Sequence, residues 1–170
     1  MTFRLLGAAC VILGCGGFGF MITANMRREM SSMRQLIYAL EFIECELAYR
    51  MVPLAQLSRL AAAISNGCVK RLLSCIAEEL ELQQAHNVEE CICNAIVRCP
   101  DVPALTVKRI KELGKTLGKF DLNGQIKCIC GNNAENKRLL EQLNVDYITK
   151  IRSYKTLSLC AGAALVILLI

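Results

Sequence analysis

At 170 residues, with 54% apolar and 21% charged residues and a mean hydropathy of +0.39, the chain is too apolar for an ordinary soluble domain and too charged for a polytopic membrane bundle. With only 3 Pro and 11 Gly it is neither a collagen-like fibre nor a low-complexity linker, and its apolar content excludes disorder. The 20 Lys and Arg against 15 Asp and Glu leave a net charge of +5, while 4 Tyr, 5 Phe and no Trp supply few platforms for stacking single-stranded nucleic acid.

The first element is apolar. Leu5 to Ala24 carries no charge over 20 residues, enough helix to cross a hydrocarbon core of roughly 30 Å. A secretory signal needs a small-x-small cleavage site, which Met21-Ile22-Thr23-Ala24 lacks. The lipoprotein-like Ile12-Leu13-Gly14-Cys15 is followed by more apolar residues instead of a polar tether. Gly7, Gly14 and Gly17 share a face of this span and permit close helix approach in lipid, which points to self-association or to pairing with another membrane protein.

Helical periodicity then runs through the middle of the chain. Leu36, Leu40, Ile43 and Leu47 make Ser31 to Arg50 an amphipathic continuation of the first helix. Pro53 suits the first turn of a second helix, carrying Leu54, Leu57, Leu60, Ala61 and Ile64 until Asn66-Gly67. A third runs from Val69 through Leu72, Leu73, Ile76 and Leu80 toward Gln84. Asn87 followed by Glu90 has the form of a capping box and opens a fourth, to about Arg98. After the two prolines at Pro100 and Pro103, a fifth carries Leu105, Ile110, Leu113 and Leu117 to Gly118. Asp121 is placed to cap a long sixth helix, in which Gly131-Asn132-Asn133 should lower helicity or bend the axis. The chain closes on Thr156 to Ile170, 15 uncharged residues that span a membrane if Tyr154 and Lys155 snorkel or the bilayer thins locally.

No segment alternates with period two, so the expected fold is all-α: a compact bundle of about six helices flanked by N- and C-terminal transmembrane helices. The division is 1–25 for the first span, 26–155 for the bundle and 156–170 for the second span. Basic residues set the orientation. Arg27, Arg28 and Arg34 flank the first span and Lys150, Arg152 and Lys155 the second, whereas Ile37 to Val145 holds 13 basic and 13 acidic residues. Both collars place the middle domain in the cytoplasm, at the inner face of the cell membrane, and suit anionic headgroups. The balanced middle shows no basic stripe for phosphates, so nucleic acid is not an expected partner.

Chemistry is sparse. Eleven cysteines include Cys91-x-Cys93 and Cys128-x-Cys130, which on paper make a four-thiolate site. On a helix, however, residues two apart diverge, and zinc pairs are usually spaced by two to four residues, so the thiols read as small reduced hydrophobes and no metal is expected. The alternative is a membrane-tethered metal- or redox-sensing helical domain built on those pairs. Gly114-Lys115-Thr116 resembles the end of a phosphate loop, but Arg109 stands where that loop needs its first glycine. His86 is the only histidine and no nucleophile is placed beside it, so neither catalysis nor a cofactor is expected. The clusters Glu41, Glu44, Glu46 and Glu78, Glu79, Glu81 read as solvated helix faces or as docking patches for a basic partner.

The order of pieces Arg34-Gln35-Leu36, Leu40-Glu41, Glu44-x-Glu46-Leu47-Ala48-Tyr49, Pro53-Leu54, then Leu113-Gly114-x-x-Leu117-Gly118-x-x-Asp121 and Gln125 resembles the stage III sporulation protein AB family over nearly the whole chain. Residues 91–97 and 126–133 fall outside that pattern. The resemblance implies a non-enzymatic component of the sporulation channel between mother cell and forespore, located in the mother-cell membrane around the forespore. Its helical domain would be similar to the cytoplasmic domain of type II secretion and type IV pilus platform proteins, docking a secretion-type ATPase and other channel subunits. Arg34, Glu44, Glu46, Tyr49, Asp121 and Gln125 are carried over as partner-binding positions, with Glu44 and Glu46 foremost. Pro53, Leu54, Leu117 and Gly118 are carried over as family positions, with Pro53, Gly118 and Asp121 as architecture that starts, ends and caps helices.

Overall fold

The computed structural model describes the backbone of residues 2–50, 52–82, 87–117 and 122–169, with side chains described over 23–49, 52–82, 87–117, 123–151 and at 153. Six helices follow one another, α1 (Thr2–Arg50), α2 (Leu54–Ile64), α3 (Gly67–Leu82), α4 (Val88–Arg98), α5 (Ala104–Thr116) and α6 (Leu122–Leu169), and no strand occurs among the described residues. The all-α expectation and the six-helix order hold. The side chains of 5–22 and 156–170, on which both membrane spans rest, lie outside the described residues, as do His86, Gly118 and Asp121. Among the described residues no helix is long and apolar enough to cross a membrane.

Residues 29–140 form one compact unit, and residues 1–28 with 141–170 form another. In the second, the Arg27 Nε–H donates to the Tyr147 hydroxyl, and its guanidinium carbon sits 5.8 Å from the ring centroid, so a cation–π contact joins α1 to α6.

The first unit is the bundle. Met33, Leu36, Leu40, Ile43 and Leu47 line the inner face of α1, at the three- and four-residue spacing that makes a helix amphipathic. Leu57 and Ala61 of α2, Val69, Leu72 and Ile76 of α3, Ile92 and Ala95 of α4, Ile110 and Leu113 of α5, and Ile129 of α6 complete one continuous core. Consecutive helices α2 to α5 pack on their sequence neighbours.

The ends of these helices follow local chemistry. Pro53 and Pro103, both near φ −57°, precede α2 and α5, where a missing N–H costs nothing. Gly67, at φ +62°, reverses the chain into α3, a left-handed conformation that side chains resist. The Asn87 Oδ1 accepts the Glu90 N–H at 2.8 Å, the expected cap of α4. Asn66 N–H donates to Gln35 Oε1 at 3.1 Å and ties the α2–α3 turn to α1.

The expected loss of helicity at Gly131-Asn132-Asn133 does not occur. Helix α6 continues as helix through Gly131-Asn132-Asn133. Asn133 and Asn136 are buried, and Asn136 is bonded to α5, so tertiary contacts outweigh a propensity deficit of roughly 1 kcal/mol or less per residue.

Candidate partner-binding surface

The expected site residues separate by helix face. Arg34, Tyr38, Cys45 and Tyr49 recur at spacings of four, seven and four on α1 and share the face opposite its buried stripe. Tyr38 is 62% and Tyr49 84% exposed, large aromatic surfaces that the core does not use. From Arg34 to Tyr49 the stripe extends roughly 22 Å along the helix. Glu44 lies on one flank, where its carboxylate accepts a hydrogen bond from the Cys130 thiol of α6 and raises the pKa of that thiol. Beside it, Lys137 Nζ meets Glu41 Oε1 at 2.7 Å, and the carboxylate raises the lysine pKa. Glu46 lies on the opposite flank, half-buried, with Oε2 shielded from solvent. Gln125 is half-buried on α6. Arg34 and Tyr49 are therefore brought to one exposed face, while Glu44 and Glu46 are not.

Charge elsewhere is mostly consumed by links between helices. Arg59 pairs with Glu81, Arg71 with Asp101, and Arg98 with both Glu78 and Glu79. The second acidic cluster is therefore spent on α3's own neighbours. Lys108, Lys111 and Lys115 are all exposed and share one face of α5 over about 10 Å. An even linear charge balance conceals this basic stripe, because its compensating carboxylates sit on other helices.

Two buried polar groups went unanticipated from sequence. Arg109, 4% exposed, donates from Nε to Asn136 Oδ1 at 2.6 Å and from its terminal nitrogens to Glu135 at 2.8 Å, to Glu112 and to the Asn132 carbonyl. Its hydrogen bond and charge lower the Glu135 pKa. The second is a contact of Ser32 Oγ with Thr106 Oγ1 at 2.9 Å, joined by the Cys68 thiol at 3.5 Å, so that α1, α5 and α3 meet there. The readable signal was spacing: Asn133 and Asn136 continue the stripe of Ile126, Ile129 and Leu140, and asparagines on a buried stripe require partners. Gly114 has no phosphate role to play, being buried inside α5 against Ile92.

Among the described residues no group of three or more His, Cys, Asp or Glu is placed to hold a metal ion. Burial, reinforced by Glu79, raises the Cys91 pKa, and burial together with the neighbouring Cys75 pushes Cys99 up to about 11. Such thiols remain protonated and poorly nucleophilic at neutral pH. An unfolded cysteine titrates near 8.5, so folding favours the neutral Cys99. That contribution is intact below about pH 8.5 and is lost as pH rises through the folded value. The melting temperature should fall across this window, and Cys99→Ala should flatten the fall; a slope unchanged by the substitution would assign the loss to other groups.

No curated protein matches the chain. Among solved structures, that of a stage III sporulation protein AB is similar in fold, with a TM-score of 0.64 at 21% identity, covering 71% of this chain and 97% of that chain. The family model for stage III sporulation protein AB matches residues 4–170, almost the full length over which Arg34, Glu44, Tyr49 and Gln125 suggested the resemblance. The chain belongs to the stage III sporulation protein AB family.

Proposed function

We propose that this protein is a non-enzymatic platform of the sporulation channel, anchored by its two terminal apolar segments and docking the channel's ATPase and neighbouring subunits on its helical bundle. The observation that carries this reading is the α1 face of Arg34, Tyr38, Cys45 and Tyr49. Tyrosine and arginine are enriched among the residues that dominate interface energetics, and these two tyrosines lie mostly in water, outside the buried core. The basic face of α5 offers a second contact, suited to an acidic partner. Family membership supports a role in stage III of sporulation.

The test is binding of the full-length chain, in nanodiscs, to the complex's ATPase. Tyr38→Ala with Tyr49→Ala should weaken binding about 30-fold, the equivalent of one interface hot spot of roughly 2 kcal/mol. Charge reversal at Glu44 and Glu46 tests the flanks, and reversal at Lys108, Lys111 and Lys115 tests α5. Affinity unchanged by all three sets, in variants that melt like the parent, would remove the bundle as the ATPase dock.

A further inference from the structure

Cys75 and Cys99 direct their sulfurs at each other. Cys75 belongs to α3 and Cys99 ends α4, yet their sulfurs are 3.6 Å apart. The other thiols with a described contact face oxygen: Cys68 meets Ser32 Oγ, Cys91 the Glu79 carbonyl and Cys130 the Glu44 carboxylate. A disulfide holds its sulfurs about 2.05 Å apart, so closing this pair takes roughly 1.5 Å of approach.

The surroundings hold the pair in place. Arg71 of α3 bonds Asp101 in the α4–α5 link, and Arg98 bonds both Glu78 and Glu79 of α3. These contacts fasten the same two segments, at residues on either side of both cysteines in sequence. Access is graded as well: Cys75 is half-buried, whereas Cys99 is 5% exposed.

We infer that Cys75 and Cys99 form a thiol modification site, a dithiol that closes to an intramolecular disulfide by exchange with an external small-molecule disulfide and so clamps α3 reversibly to the α4–α5 link. In the first step the Cys75 thiolate attacks one sulfur of the external disulfide, forming a mixed disulfide and expelling one thiolate. In the second, Cys99 loses its proton to solvent and its sulfur attacks Cys75 Sγ, expelling the second thiolate. The protein's two thiols lose two electrons and two protons, and the external disulfide is reduced to two thiols. The groups facing Cys99 are Cys75 and Asp101, which disfavour its thiolate, and Arg71, which favours it. Burial adds to the disfavouring side, so the second step is the slow one at neutral pH and quickens as the solution is made alkaline.

Full-length protein in nanodiscs is treated with oxidised glutathione at pH 8.5, quenched by alkylation under denaturing conditions and peptide-mapped. A Cys75–Cys99 linked peptide lacking two hydrogens is expected, together with a melting temperature raised by several degrees and restored by dithiothreitol. Cys99→Ser should stall with glutathione on Cys75, and Cys75→Ser should leave Cys99 unmodified. Recovery of Cys75 and Cys99 from the parent protein as separate alkylated or glutathionylated peptides would overturn the assignment. The parent map needs no variant to fold, so the result stands whatever the substitutions do.

Discussion

Asn136→Leu should destabilise the bundle by about 3 kcal/mol, because it leaves the buried Arg109 guanidinium without its best-sheltered acceptor. The Asn136 side chain is fully buried, and it both accepts from Arg109 and donates to Asn132 Oδ1 at 3.0 Å. Arg109→Met should cost a similar amount by the converse route, stranding the Asn136 carbonyl away from water. Glu135→Ala removes a partner at a similar distance, but that side chain is 62% exposed and solvent screens the pair, so its loss should cost far less. Combining Arg109→Met with Asn136→Leu removes donor and acceptor together and should recover most of the loss. Urea midpoints at constant m-value measure all four variants. Equal losses for Asn136→Leu and Glu135→Ala would show that the buried amide is no more important than the surface carboxylate.

Gly114→Ala should cost about 1 kcal/mol, and at most about 2, despite alanine's better helix propensity. A Cβ at this position would stand 2.7 Å from Ile92 Cδ1, closer than carbon atoms approach one another, and Ile92 is 3% exposed and has little room to yield. Overpacking of this kind typically costs roughly 1–3 kcal/mol, against a gain of about 1 kcal/mol from replacing glycine within a helix. Ile92→Val deletes the clashing Cδ1 itself. In that background Gly114→Ala should become neutral or stabilising, and the coupling between the sites should reach about 1–2 kcal/mol. Additive effects of the two substitutions would mean that the helices separate freely at this contact and that Gly114 serves another purpose.

The helices were legible because each carries a periodic apolar stripe closed by recognisable residues: Pro53, Asn87 and Pro103 begin helices where their chemistry says they should. Gly131-Asn132-Asn133 misled because propensity is local, whereas Arg109, supplied from 23 to 27 residues away, holds the Asn132 carbonyl and the Asn136 side chain. The same distance effect split Glu44 from Glu46. Two residues apart on a helix places them on opposite flanks, and only the fold shows that one flank meets Cys130 of α6. Tyr38 was readable as the missing member of the Arg34 and Tyr49 face by its spacing alone. The α5 lysines were concealed by counting charge along the chain when their neutralising partners are arranged in space.

The polar joint at Arg109 also bears on how the chain is completed during synthesis. Helices α3 to α5 contact their immediate predecessors and can pack as they emerge, since closing short loops is entropically inexpensive. Arg109, however, has only Glu112 nearby until residues 132–136 follow, and Glu41 waits for Lys137, 96 residues later. A nascent chain ending before α6 thus keeps a guanidinium that the finished core conceals, and it must stay hydrated there. Helix α6, synthesised after the rest of the bundle, is the one that lets this cation go under cover.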